Sequence, residues 1–387
     1  MATVRSIEAL AVSLPRATPY LGPLAEGERV NARGYVVRKG NRTIYPTADR
    51  SVIVKATASD GTVGWGETYG IVAPLATLAI LRDVLAPVVE GRDPRDAMAI
   101  WQDLYDLMRV RGGASGFYGD ALAGVDIALC DLAARIEGVP LAQWLGGARR
   151  ERIPAYVSGL PKATLSERVA FAREWAAKGF DAFKYAAVVS HEGVVEEMQA
   201  LRAALPRASL MVDLHWKYTA AEALALAHEL APYEPAFVEA PVAPEDIAGL
   251  AEVAAGSPVP VAAGEEWHNV YEAGWRLPLA KLAYVQPEIA HTGATQFLAI
   301  ARHARQCGAR IAPHATIGVG IFMAASLHAS AALDDCAWHE YQHSVFDGNL
   351  AHVDTAMRCE AGFYTLPRGP GLGAVPRESL WAYRMDL

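Results

Sequence analysis

The chain has 387 residues, of which 52% are hydrophobic and 20% charged, and its formal net charge is −8. That length exceeds one ordinary core but suits a barrel of roughly 200–250 residues plus a second domain. The composition excludes wholesale disorder, and the acidic balance argues against nucleic acid as the main partner.

The first residues, MATVRSIEALAVSLPRA, lack a basic stretch followed by a long apolar run. Neither a signal peptide nor a membrane-spanning segment of 18 or so apolar residues is expected, so no membrane partner is either. The four cysteines, Cys130, Cys307, Cys336 and Cys359, include no C-x-x-C pair, which reads as reduced thiols in the cytoplasm.

Ser6–Leu14 alternates like a strand. Ser51–Thr57 is rich in Val and Ile, and Asp60-Gly61 is a hairpin turn signal leading into Val63–Glu67. Helical patterns follow at Pro74–Val89, Pro94–Met108 and Asp120–Glu137. Residues 1–130 therefore read as an α+β domain. Arg16–Pro46 is long, Arg- and Gly-rich and poorly periodic, and is expected to form a lid.

From Ile153 the pattern becomes strand, polar tip, helix, repeated. The strands are expected at Ile153–Val157, Ala182–Tyr185, Leu210–Leu214, Ala236–Glu239, Val259–Gly264, Lys281–Gln286, Arg310–Pro313 and Asp335–Trp338. This is the pattern of an α/β fold, a (β/α)7-8 (TIM-like) barrel over residues 131–359. The polar tips keep phase. Asp213 to Glu239 and Glu239 to Glu265 are each 26 residues, Glu265 to Glu288 is 23, and Glu288 to His314 and His314 to Glu340 are again 26. One strand, loop and helix takes about that length, so the tips should share the C-terminal rim where barrel active sites sit. A single acid could simply cap the next helix, but six acidic or imidazole tips in phase are poorly explained that way. Asp213, Glu239 and Glu265 then form a hard oxygen site suited to Mg²⁺; without a cation they would only repel.

Eight segments carry a resemblance: DGTVGWGE (60–67), ALAGVDIALCDLAARIEGVPLAQWLGG (121–147), VDLHW (212–216), FVEAP (237–241), VAAGEE (261–266), VQPE (285–288), IAPHA (311–315) and GPGLG (369–373). In order and spacing the chain resembles the enolase superfamily, in its mandelate racemase and sugar-acid dehydratase branch. The resemblance implies an N-terminal cap over the barrel mouth, a C-terminal tail (360–387) returning to it, and homo-oligomers. It assigns Asp213, Glu239 and Glu265 to Mg²⁺ and His314 as the base on the carbon acid. Glu288 stands where relatives carry Asp as the partner of that His. Glu340 matches an acid that binds the substrate carboxylate while protonated.

The second strand departs from the common K-x-K. Lys184 matches the first Lys, but Ala186 has no proton chemistry, which disfavours a two-base transfer through that pair. His215, two residues after Asp213, faces the same way as the ligand if the strand continues. The D-x-H arrangement looks like sugar-acid dehydratases, in which that His assists departure of the 3-hydroxyl. The expected function is Mg²⁺-dependent dehydration of a sugar acid to a 2-keto-3-deoxy acid. A racemase, an epimerase or a sugar-lactone cycloisomerase stays open, as does a barrel that binds ligand without turnover. The expected partner is a small sugar acid or lactone. His268 follows Glu265 with either a pocket or a packing role, and Glu266 is expected to point away from the metal by strand alternation.

Overall fold

The computed structural model describes residues 2–17, 19–112, 115–315 and 318–385. The N-terminal strands are β1 (Val4–Pro15), the short hairpin β2 (Tyr35–Val37) and β3 (Ile44–Pro46), β4 (Ala48–Ala58) and β5 (Val63–Tyr69). β1, β4 and β5 form one antiparallel sheet, and Gly61 takes positive φ at the β4–β5 turn, as the Asp-Gly signal required. Four helices follow: α1 (Pro74–Ile80), α2 (Ala86–Val89), α3 (Ala97–Met108) and α4 (Gly116–Ile136).

Helix α4 is apolar on nearly all sides and buried from Tyr118 to Ala134. Its closeness to β5 explains the glycines of VGWGE. A Cβ on Gly66 would stand 2.1 Å from the Gly124 carbonyl and 2.8 Å from the Ala128 nitrogen. The helix also runs without a break through the boundary expected at 130, so cap and barrel share it.

Eight parallel strands follow: β6 (Arg152–Ser158), β7 (Ala182–Ala186), β8 (Ser209–Asp213), β9 (Phe237–Glu239), β10 (Val261–Ala263), β11 (Tyr284–Val285), β12 (Arg310–Ile311) and β13 (His339–Tyr341). Each pairs with the next up to β12; β13 pairs with β6, and an Ile311–Cys336 bridge closes the ring. The last strand lies three to four residues beyond the expected Asp335–Trp338. Cys336 supplies only that bridge, and the ladder to β6 is made by His339–Tyr341, which puts Glu340 inside the strand.

Tyr156, Ala182, Met211, Phe237 and Ala262 pack together as a separate cluster inside the barrel. Side chains alternate along a strand, so two residues further on the chain again faces the axis. The positions so reached are Ser158 after Tyr156, Lys184 after Ala182, Asp213 after Met211 and Glu239 after Phe237. An apolar plug thus lies beneath a polar rim.

The tail adds β14 (Val353–Thr355), β15 (Arg358–Glu360), β16 (Phe363–Thr365) and β17 (Ala374–Pro376). β16 pairs with β6, and the chain then returns to the cap, where Trp381 stacks on Trp65 and the Met385 N–H donates to the Ala11 carbonyl. Among the described residues no helix is long and apolar enough to cross a membrane.

Candidate active site

A cavity of about 460 Å³ opens between the rim and the cap. Lys184, Asp213, His215, Glu265, His314 and Glu340 line it from the barrel; Arg16, Tyr20, Tyr45, Tyr69 and Asp120 line it from the cap. The expected lid is ordered around Arg38. This buried guanidinium donates to the carbonyls of Leu21 (3.1 Å), Gly22 (3.4 Å) and Pro23 (3.1 Å) and pairs with Glu28 at 3.3 Å. Arg33, Lys39 and Arg42 do not line the cavity; Leu21, Gly22, Thr43, Ile44 and Tyr45 do.

The rim carboxylates each meet a cation. Lys184 Nζ lies 2.7 and 2.8 Å from the two oxygens of Glu239 and 3.2 Å from Glu340. Burial alone would lower the Lys184 pKa, but Glu239 and Glu340 hold the amine charged. Gln286 donates to Glu239 at 2.7 Å. His215 Nδ1 lies 3.0 Å from Asp213, and its backbone N–H donates to the same carboxylate at 2.8 Å.

The strand-continuation argument for His215 does not hold. β8 ends at Asp213, and His215 and Trp216 take left-handed φ of 50° and 54°. A turn, not pleat alternation, brings His215 into the cavity. Glu265 likewise stands beyond its strand: β10 ends at Ala263, and Gly264 turns the chain at φ 117°. Alternation therefore does not set the direction of Glu266, which lines the cavity too. Trp267 is fully buried.

His314 Nδ1 sits 2.9 Å from Glu288 Oε2, so the longer Glu side chain does reach the imidazole. The Ala290 N–H fixes Glu288 Oε1 at 3.0 Å, and the Tyr69 hydroxyl donates to Oε2 at 3.0 Å. His314 Nε2 faces Glu265 at 3.3 Å and Glu340 at 3.7 Å. Burial would lower the His314 pKa; Glu265, Glu340 and Glu288 raise it to about 10. Glu340 differs from the protonated acid expected of it. Burial would raise its pKa, but Lys184 and His314 hold it ionised, near about 2, and it accepts from the Ala315 N–H at 3.1 Å.

Asp213, Glu239 and Glu265 fit a divalent ion by donor chemistry. Glu265 Oε2 is buried without a hydrogen-bond donor, an acceptor left for a cation. Burial pushes the Glu265 carboxyl well up, and Glu239 and Asp213 add to this against the pull of His314, which is the crowding a cation relieves.

A further set was missed. Asp120, His268 and His291 bring ligand-capable atoms within 4.8 Å of one another, a group able to hold a metal ion. His268 and His291 each follow a rim acid (Glu265, Glu288) by three residues, the one local signal available. Asp120 comes from α4, far away in sequence. Tyr69 was missed for the same reason.

Residues 42–146 match the family described as mandelate racemase / muconate lactonizing enzyme, N-terminal domain, and residues 167–380 match the enolase C-terminal domain-like family. The chain is similar to D-galactarolactone cycloisomerase of Agrobacterium fabrum, with 33% identity over 86% of this chain and 91% of the relative. It is also similar to D-galactonate dehydratase of Ralstonia nicotianae, with 31% identity over 87% and 92%. A solved structure from Agrobacterium tumefaciens, described as a member of the enolase superfamily, is 48% identical with a TM-score of 0.97 over the whole of both chains. The architecture expected from the sequence and the matches along it agree, and the chain belongs to the enolase superfamily, in its mandelate racemase and muconate lactonizing enzyme group.

Proposed function

We propose that the chain is a Mg²⁺-dependent sugar-acid dehydratase that removes the proton at C2 and expels the 3-hydroxyl as water, giving a 2-keto-3-deoxy acid. The observation that carries this reading is the His314–Glu288 pair. With Nδ1–H donated to a carboxylate that is itself fixed by Ala290 and Tyr69, Nε2 is the atom turned to the rim, and a divalent ion that takes up the charge of Glu265 would lower the His314 pKa and free that nitrogen as a base. His215 follows the third of eight strands and His314 the seventh, so the two imidazoles stand on opposite sides of the mouth. His215 is then placed to protonate the departing hydroxyl, which balances the proton taken by His314. A divalent ion held by Asp213, Glu239 and Glu265 would supply positive charge to the substrate carboxylate as its α-carbon loses a proton. Lys184 adds a fixed charge beside it, and Glu340 orients Lys184.

The 33% identity to a galactarolactone cycloisomerase favours a second reading, proton removal followed by lactone rearrangement without loss of water. A 2-keto-acid assay with Mg²⁺ across C4–C6 sugar acids and lactones, read with NMR in D₂O, separates the two. Keto acid from a panel member, lost in His314→Ala and His215→Ala, supports dehydration. Lactone consumed with deuterium at the α-carbon and no keto acid moves the assignment to the isomerase.

We also read the chain as a cytoplasmic homo-oligomer. Exposed Trp275, near the end of the helix Val270–Arg276, and Leu279 in the turn after it supply apolar surface that self-association would cover, and light scattering of the purified protein tests it.

A further inference from the structure

A second imidazole–carboxylate pair opens onto the same cavity. Asp120 Oδ1 lies 2.5 Å from His291 Nδ1 and 3.3 Å from His268 Nε2, while Glu272 stands 3.7 Å from His268 Nδ1. Asp120 and His291 line the cavity beside Tyr69.

Geometry favours a shared proton here over a shared metal. Two ligand atoms each about 2.0–2.1 Å from a tetrahedral ion stand about 3.3 Å apart. The 2.5 Å between Asp120 and His291 is a hydrogen bond instead. His268 supplies the positive charge: burial alone would lower its pKa, but Asp120 and Glu272 raise it to about 9. Its nitrogens lack aligned hydrogen bonds, so these contacts are ion pairs.

His291 thus has Nδ1 committed to Asp120, and no partner of Nε2 is found among the described residues. Its ring lies 4.4 Å from that of Tyr69, whose hydroxyl reaches Glu288. His291 therefore stands one tyrosine away from the His314 pair on the same cavity, so a substrate with C2 at His314 would offer it a group further along the chain. The charge on this wall decides what it can meet. Asp120 and, behind His268, Glu272 are acids, and the nearby cations are engaged: His268 with Asp120 and Glu272, and Arg16 with Asp49 at 2.7 Å. A second substrate carboxylate would meet like charge; a hydroxyl, both donor and acceptor, would not.

We propose that His291, oriented by Asp120, is a specificity-determining residue that hydrogen-bonds a hydroxyl at the remote end of the substrate and selects polyhydroxy monoacids over diacids. The inference rests on the sugar-acid reading above. Calorimetric binding to the Mg²⁺-loaded protein tests it with three C5–C6 ligands: a monoacid sugar, the same acid lacking its terminal hydroxyl, and the corresponding diacid. The wild type should favour the monoacid over both others by about tenfold or more. His291→Ala should bring the three within a few-fold of one another. His291→Gln, which keeps a polar group at similar reach, should restore part of the preference and guards against a variant that merely misfolds. Equal affinities in the wild type, no binding of any of the three, or selectivity unchanged in His291→Ala would overturn the proposal. So would one equivalent of Zn²⁺ bound beside saturating Mg²⁺ and lost in His291→Ala, which would make the trio a metal site. Binding needs no turnover, so failed keto-acid formation together with intact discrimination would sink the dehydration reading alone.

Discussion

Two sets of buried carboxylates, one in the cap and its long helix and one on the barrel rim, are satisfied in different ways. On the cap side, Glu67 accepts from Ser51 Oγ (2.6 Å) and from the backbone N–H groups of Val319 (2.5 Å), Gly320 (3.3 Å), Ile321 (2.8 Å) and Phe322 (3.0 Å), at the start of a barrel helix. Asp126 accepts from Thr295 N (2.9 Å) and Oγ1 (2.7 Å) beside Gly293, whose φ of 67° and missing Cβ leave it room. Asp131 accepts from the N–H groups of Trp65 and Leu372, each at 2.7 Å. On the rim, Asp213, Glu239 and Glu265 meet Lys184 and two imidazoles, and Glu265 Oε2, although 3.3 Å from His314 Nε2, accepts no aligned hydrogen bond. The cap acids spend most of their acceptor capacity on neutral donors, the exception being Asp131, which also accepts from Arg135 at 2.8 Å. The rim acids meet charged groups instead, and Glu265 keeps acceptor capacity in reserve.

The contrast breaks most decisively at His314. His314→Ala should lower keto-acid formation and C2 proton exchange by about a thousandfold, within the range expected of a general base, while the melting temperature barely moves. A large loss of stability in that variant would mean the rim is structural after all.

Next in size is Glu67→Ala, which strands five donors in the interior. Urea unfolding should show a loss of about 3–5 kcal/mol. Activity per folded molecule should survive, and its loss without loss of stability would erase the distinction.

Metal sharpens the rim side. Saturating Mg²⁺ should stabilise the protein by about 2.7 kcal/mol at a hundredfold excess over its dissociation constant, and Glu265→Gln should remove most of that gain. Chelation should abolish turnover and leave circular dichroism unchanged. An ion that stabilises Glu265→Gln as well as the wild type would place the metal elsewhere.

The cap side carries a pH slope, its full size reached only across about two pH units. Burial raises the folded pKa of Asp126 to about 6 against donors from Thr295 that lower it, and the unfolded value is about 3.9. Between those values the folded state binds more protons than the unfolded one. Stability should therefore fall as pH rises from about 4 to about 6, by up to about 3 kcal/mol, and level off above. Asp126→Asn should flatten that part of the curve; an unchanged slope would assign it to other groups, of which Asp131, also raised to about 6, is the first to try.

What was legible in the sequence was whatever repeats. The 26-residue phase of Asp213, Glu239 and Glu265 follows from one barrel unit, and the Asp60-Gly61 turn from local backbone preference. His215 was found for a reason the backbone does not bear out, because nothing local announces that β8 stops at Asp213. The last strand differs from the expected one since the apolar run Cys336–Trp338 precedes the polar His339–Tyr341, and only pairing with β6 chooses between them. Tyr69, Asp120 and Glu67 act on residues more than 150 positions away, and such contacts leave no period to read.

Arg38 carries a consequence for how such an enzyme diversifies. One buried side chain gathers three successive carbonyls and so fastens the base of the loop, while the cavity is met by its neighbours Tyr20 to Gly22 and Thr43 to Tyr45. Anchorage and contact are thereby assigned to different residues. Contact positions can drift toward a new substrate one at a time while the loop keeps its course, which makes this stretch of chain a natural target for libraries that hold Arg38 constant.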